Sequence, residues 1–173
     1  MFGTSHTPSA SERTLPRTTP LSIGDLDRQP LQITETVNID AEPEEAWQAI
    51  ADPTTWTRWF PGFNECRALD ATSGVGATRL VHQDRFRVTE QIIAWEPGRL
   101  WGMTVLSINI PVLSAMAETA TLTPNNSGTT ITWRVGATMR WWAKPAAGKL
   151  KRDTADNFTK ASQQLEQLLT GGD

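Results

Sequence analysis

ITETVNIDAEPEEAWQAIADPTTWTRWFPGF, residues 33–63, contains the change of period that decides the fold. Its first part continues an alternation that begins at Leu31. Leu31, Ile33, Val37 and Ile39 are set against Gln32, Thr34, Thr36 and Asn38, the period-two pattern of a half-buried strand. Pro43 then suits the first turn of a helix, and Glu44 and Glu45 complement the positive end of its dipole. Ala46, Trp47 and Ile50 give that helix a buried face. Asp52-Pro53 starts a second short helix, with Trp56 and Trp59 three apart on one side. Pro61-Gly62 ends it in a turn.

Beyond this stretch the sequence reads as a strand meander. Phe63–Leu69 and Ala77–His82 are short strands separated by SGVG at 73–76. Arg85–Trp95 closes on the turn Glu96-Pro97-Gly98, Arg99–Leu106 returns, and Leu113–Thr123 and Thr129–Met139 follow around PNNSG at 124–128. With the first strand this makes seven, joined mostly by short turns and therefore antiparallel. Residues 100–117 carry no charge and reach the length of a membrane helix. Asn109, Pro111 and many β-branched residues divide them into two strands instead. A long helix from about Pro145 to Thr170 ends the fold at Gly171-Gly172. Its stripe of Leu150, Thr154, Phe158, Ala161, Leu165 and Leu168 is thin at Thr154 and Ala161. Roughly 37 Å long, the helix crosses a whole sheet and leaves space beneath its small residues.

Composition removes several classes of function. The 173 residues carry 16 Lys and Arg against 19 Asp and Glu, a net charge of −3 that gives no reason to expect nucleic acid or an anionic membrane. One cysteine, Cys66, excludes an intrachain disulfide framework, and two histidines, His6 and His82, leave little for a metal centre. Residues 1–30, with four prolines and no apolar period, read as a disordered N-terminal tail or a docking arm, and hold no secretory core. The expectation is a cytoplasmic protein with a folded domain at 31–170 and no stable membrane insertion.

The order of elements, together with GATRLV at 76–81, VTEQIIAWEPGRLWGM at 88–103 and LTPNNSGTTITWRV at 122–135, resembles the START/Bet v 1-like (SRPBCC) superfamily, and within it the polyketide cyclase/dehydrase-like proteins. The resemblance spans residues 31–170. It implies an α+β helix-grip fold, with a curved seven-stranded antiparallel sheet wrapped around the C-terminal helix and two short helices between the first two strands. It also implies a cavity for a small hydrophobic or amphipathic ligand, and it transfers no catalytic motif.

Three carboxylates stand on otherwise apolar strand faces. Glu35 is in phase with Ile33 and Val37, Glu90 with Phe86, Val88 and Ile92, and Glu118 with Met116, Ala120 and Leu122. If these faces line the cavity, burial raises their pKa values toward the range useful for proton transfer, which needs no metal or redox cofactor. Arg79, Arg87 and Arg134 are candidate partners. Trp59, Phe63, Phe86, Val88, Trp101, Met103, Met116, Trp133 and Phe158 are expected on the ligand wall, while Trp56 and Trp95 are assigned to core packing. The apolar loop Ile108–Val112 reads as a gate over the cavity mouth, and Trp141-Trp142 as a hinge or exposed patch. Three functions stay open: a ligand-binding or carrier protein, a cofactor-independent cyclase or dehydratase using Glu35, Glu90 or Glu118, and a protein-interaction module. A homodimer through the apolar loop is also left open.

Overall fold

The computed structural model describes residues 15–171. Part of the expected tail, with His6, lies outside the described residues, as does Gly172. β1 (Leu31–Ile39) buries Ile33 and Ile39 and pairs with the last strand, β7 (Gly128–Met139), placing Ile33 opposite Val135 and Glu35 opposite Trp133. Between them run β2 (Phe63–Ala68), β3 (Thr78–Gln83), β4 (Phe86–Glu96), β5 (Leu100–Ile108) and β6 (Leu113–Asn125). All pairings are antiparallel, in the order β1-β7-β6-β5-β4-β3-β2. The uncharged 100–117 run is thus β5 and the start of β6, and no helix among the described residues is long and apolar enough to cross a membrane.

Pro43 sits in the first turn of α1 (Pro43–Ala51), which buries Ala46, Trp47, Ala49 and Ile50. The Asp52 side chain accepts a hydrogen bond from the Thr54 amide (2.8 Å), starting a 3-10 turn that leads into α2 (Trp56–Trp59). A further 3-10 turn at Trp141–Ala146 precedes α3 (Ala147–Thr170).

The C-terminal half of α3 is fastened to β1 and β7. Phe158 stacks on Trp133 with ring centroids 4.9 Å apart and planes 3° from parallel. The Trp133 indole donates to the Ser162 hydroxyl (3.0 Å), and Thr159 donates to Glu35 (3.0 Å). Glu166 accepts from the Asp40 amide (2.6 Å).

The tail expected over 1–30 requires correction from residue 15 onward. β5 and β6 pair only from Leu100–Thr121 to Thr104–Ala117, then splay, and residues 16–19 enter the split. Ile108 donates its amide to the Pro16 carbonyl (3.0 Å), Thr18 to Leu106 (3.0 Å) and Thr19 to Ser114 (2.8 Å). The chain then crosses the outer sheet face in a 3-10 turn, Ile23–Arg28, with Leu26 buried. A Cβ on Gly136 would lie 2.5 Å from the Leu26 carbonyl oxygen, so only glycine permits this backbone-on-backbone approach. Backbone and side-chain hydrogen bonds, the Arg134–Asp27 pair and one glycine hold the segment, and none of these leaves an apolar period in the sequence.

Candidate functional site

Where α3 presents Leu150, Asp153, Thr154 and Asn157, the helix and the sheet enclose a cavity of about 270 Å³. Its wall is apolar over Phe60, Phe63, Val81, Phe86, Val88, Met103, Val105, Leu113, Met116 and Phe158. Gln83, Asp84, Asp153, Thr154 and Asn157 are part of its polar lining. Ile108 and Val112, the two ends of the expected gate loop, are wall residues. Asn109 ties that loop to β4 by accepting from the Arg87 amide (2.8 Å) and donating to the Arg85 carbonyl (2.9 Å).

Three charged residues form one buried group in the wall: Arg79 on β3, Glu90 on β4 and Glu118 on β6, exposed by only 5%, 4% and 6%. The two-residue β3–β4 hairpin turns at Asp84-Arg85, with Asp84 at φ 49°, and its register sets Arg79 opposite Glu90. A register shift between Thr89 and Glu90 interrupts the β4–β5 ladder beside them, the local irregularity that re-aims strand side chains. Arg79 Nε donates to Glu90 Oε2 at 2.6 Å. The guanidinium lies 4.2 Å from the Trp56 ring centroid and 4.7 Å from that of Trp101. Indole faces thus replace part of its lost hydration.

Burial opposes the Arg79 charge, but the charge and hydrogen bond of Glu90 outweigh it and keep the guanidinium ionised. Glu118 is in the opposite condition. Its carboxyl makes no hydrogen bond or ion pair among the described residues. Burial, reinforced by the negative charge of Glu90 and only partly offset by Arg79, pushes its pKa up to about 8. At neutral pH it is a neutral carboxylic acid facing the cavity, able to donate a hydrogen bond or a proton.

Of the nine residues expected on the ligand wall, Phe63, Phe86, Val88, Met103, Met116 and Phe158 line the cavity. Trp59, Trp101 and Trp133 do not. Trp133 is covered by Phe158, Trp59 packs beside Trp56 at 4.6 Å, and Trp101 lies behind Arg79, so all three fill the core. Trp56, assigned to packing, reaches the cavity as well. Among the carboxylates, Glu90 and Glu118 share the site, whereas Glu35 is bound to Thr159 at the β1–α3 contact, outside it. Arg134 pairs with Asp27 on the outer face. Burial pushes the Cys66 thiol up to about 12, which leaves it unreactive, and His82 lies outside the lining. Among the described residues, no group of three or more His, Cys, Asp or Glu side chains is placed to hold a metal ion.

Residues 30–170 match the family model described as polyketide cyclase / dehydrase and lipid transport. Uncharacterised proteins of Mycobacterium tuberculosis and Mycobacterium bovis are each 26% identical over 119 residues, which is 68% of this chain and 71% of theirs. Among solved structures, a Mesorhizobium loti protein superposes with a TM-score of 0.64 at 24% identity, covering 82% of this chain and 98% of that one. An aromatase/cyclase from a Streptomyces species gives a TM-score of 0.63 at 16% identity, covering 82% and 97%. The di-domain aromatase/cyclase StfQ of steffimycin biosynthesis gives 0.70 at 12%, covering 86% of this chain and 53% of that one. At these identities the structural likeness establishes the fold, which is the helix-grip architecture.

Proposed function

The chain belongs to the polyketide cyclase/dehydrase and lipid-transport family, and from that premise we propose that its cavity binds one small amphipathic molecule. The apolar body lies against Phe63, Phe86, Met103, Met116 and Phe158, and an oxygen of the ligand accepts a hydrogen bond from Glu118. One observation carries this reading: an apolar wall that ends on a carboxyl open to the cavity, on a residue only 6% exposed, with no hydrogen bond among the described residues. An orphaned buried polar group is expensive unless something satisfies it. About 270 Å³ falls just under the usual range for small-molecule sites, roughly 300–1,000 Å³. That size suits a compact ligand of a few fused rings or a single short chain, not a two-chain lipid.

The same carboxyl favours a second reading, a cofactor-independent cyclisation or dehydration. A pKa of about 8 leaves Glu118 protonated at pH 7 and still able to give the proton up. It could give its proton to the hydroxyl of a β-hydroxy ketone, which leaves as water, and the resulting carboxylate, stabilised by Arg79, would take the α-proton as the C=C bond forms.

Native mass spectrometry of gently purified protein, followed by extraction and identification of any adduct, tests the first reading. A stoichiometric apolar molecule bearing a keto, hydroxyl or carboxyl oxygen is the expected result. A clean mass that survives exposure to lipid and aromatic mixtures would overturn it. With a ligand identified, Glu118→Gln separates the two readings. A binding protein loses a modest part of its affinity, whereas an enzyme loses turnover with binding intact.

A further inference from the structure

Folding leaves two neighbouring indoles in solvent. Trp141 is 81% exposed and Trp142 48%, although the other large aromatic side chains among the described residues are buried or half-buried. They open the 3-10 turn between β7 and α3, which is fixed from below by buried Ala143 and by the Arg140 amide donating to the Val112 carbonyl (3.0 Å). Two ordered, solvent-facing indoles on a fixed turn form a presented surface.

The charge around them is as uneven as the burial. RWWAKPAAGKLKR, residues 140–152, holds five of the chain's 16 lysines and arginines and no acid, in a protein whose net charge is −3. Lys144, Lys149, Lys151 and Arg152 are all exposed. The first acidic residue, Asp153, is paired with Lys149. Clustered cations, which the whole-chain charge conceals, are therefore concentrated beside the two tryptophans.

We propose that Trp141–Arg152 docks this protein on the surface of an anionic phospholipid bilayer. Indole rings with an apolar body and a polar N–H settle at headgroup level, and exposed Lys and Arg are drawn to anionic headgroups within a Debye length of the surface. A nucleic-acid groove would use the cations and leave the adjacent rings without a role, whereas an anionic bilayer uses both. The position adds a reason for such docking. Val112, whose carbonyl holds the turn, lines the cavity, as do Leu150, Asp153 and Thr154 in the first two turns of α3. A bilayer touching the turn would therefore lie beside the cavity, where an apolar ligand can pass without crossing much water.

The experiment is co-sedimentation of the full chain with phosphatidylcholine vesicles, with and without about a third phosphatidylglycerol. Quenching of tryptophan emission by brominated lipid is read in parallel. Binding to the anionic vesicles only, weakened by high salt and accompanied by quenching, is expected. Trp141→Ala/Trp142→Ala should lower it roughly tenfold or more, and Lys144→Gln/Lys151→Gln several-fold. Both pairs are exposed, and unchanged circular dichroism certifies their folds. Failure to bind anionic vesicles would overturn the proposal. So would binding indifferent to the tryptophan pair, or binding to heparin of equal strength without lipid quenching. No cavity ligand enters the assay, so this proposal and the ligand reading can fail separately.

Discussion

The two ends of α3 rest on the same curved sheet and produce opposite interiors. Toward its C-terminus, Phe158, Ala161, Ser162 and Leu165 are buried, Phe158 is stacked on Trp133, Ser162 accepts from its indole, and that half is solid. Toward its N-terminus, Leu150, Asp153, Thr154 and Asn157 face β3–β6 across a cavity with three buried charged residues in its wall. Apart from Arg79, Glu90 and Glu118, the strand face of the open half is apolar as well. What differs is the aromatic filling: Phe158, Trp133 and the α2 rings close the space that the small Ala161 and Ser162 leave. A cavity in this fold is thus a local decision by a few residues, and the polar group in its wall is tolerable because space remains for a ligand or water to satisfy it.

Breaking the solid half should have the largest effect. Trp133→Ala removes the ring that stacks on Phe158 and orphans Ser162, and should lower stability by about 3–5 kcal/mol in urea unfolding. Arg79→Met strikes the open half almost as hard, by about 3 kcal/mol, because Glu90 stays buried without its partner. Adding Glu90→Gln should restore much of that loss.

The pH dependence of stability sharpens the comparison further. Glu118 keeps its proton in the folded protein up to about 8, against the ordinary glutamate value of 4.5. The native state therefore binds more protons than the unfolded chain between these limits, and stability falls as pH rises from 4.5 through 8. Below 4.5 both states are protonated and above 8 both are ionised, so the slope vanishes. Glu118→Gln should flatten that slope and leave the variant more stable than wild type above pH 8, which thermal melts across the range would check. The smallest effect on stability belongs to Thr154→Met, which extends a side chain into the cavity. It should change stability by less than about 1 kcal/mol while abolishing uptake of any ligand found by mass spectrometry.

Elements with a period were legible in the sequence. The alternation of β1, the Pro43 and Asp52-Pro53 helix starts and the α3 stripe all fall where the structure has them; of the two thin positions, Thr154 lies over the cavity, whereas Ala161 is buried in the packed half and leaves no space there. The Arg79–Glu90 pair follows from the hairpin at Asp84-Arg85. Which aromatic rings face a void did not follow, because Trp59, Trp101 and Trp133 differ from Trp56 in the layer that covers them, and that layer comes from α3 and Arg79, far away in sequence. The same is true of Glu35 and Glu118. Both lie in phase with apolar neighbours, yet Thr159 takes the first and nothing takes the second.

The splayed ends of β5 and β6 bear on the order in which the molecule closes. Hairpins between neighbouring strands form early, whereas Thr18 must find Val105 across 87 positions, a closure with a larger entropic toll. Residues 16–19 should then be the last piece seated and the first released. In hydrogen exchange the amides of Ile108, Thr18 and Thr19, all bonded across that seam, should lose protection well before the β6–β7 ladder. Val105, Ile108, Leu113 and Met116 border both the seam and the cavity, so each such release would unbutton one side of the chamber while α3 stays in place.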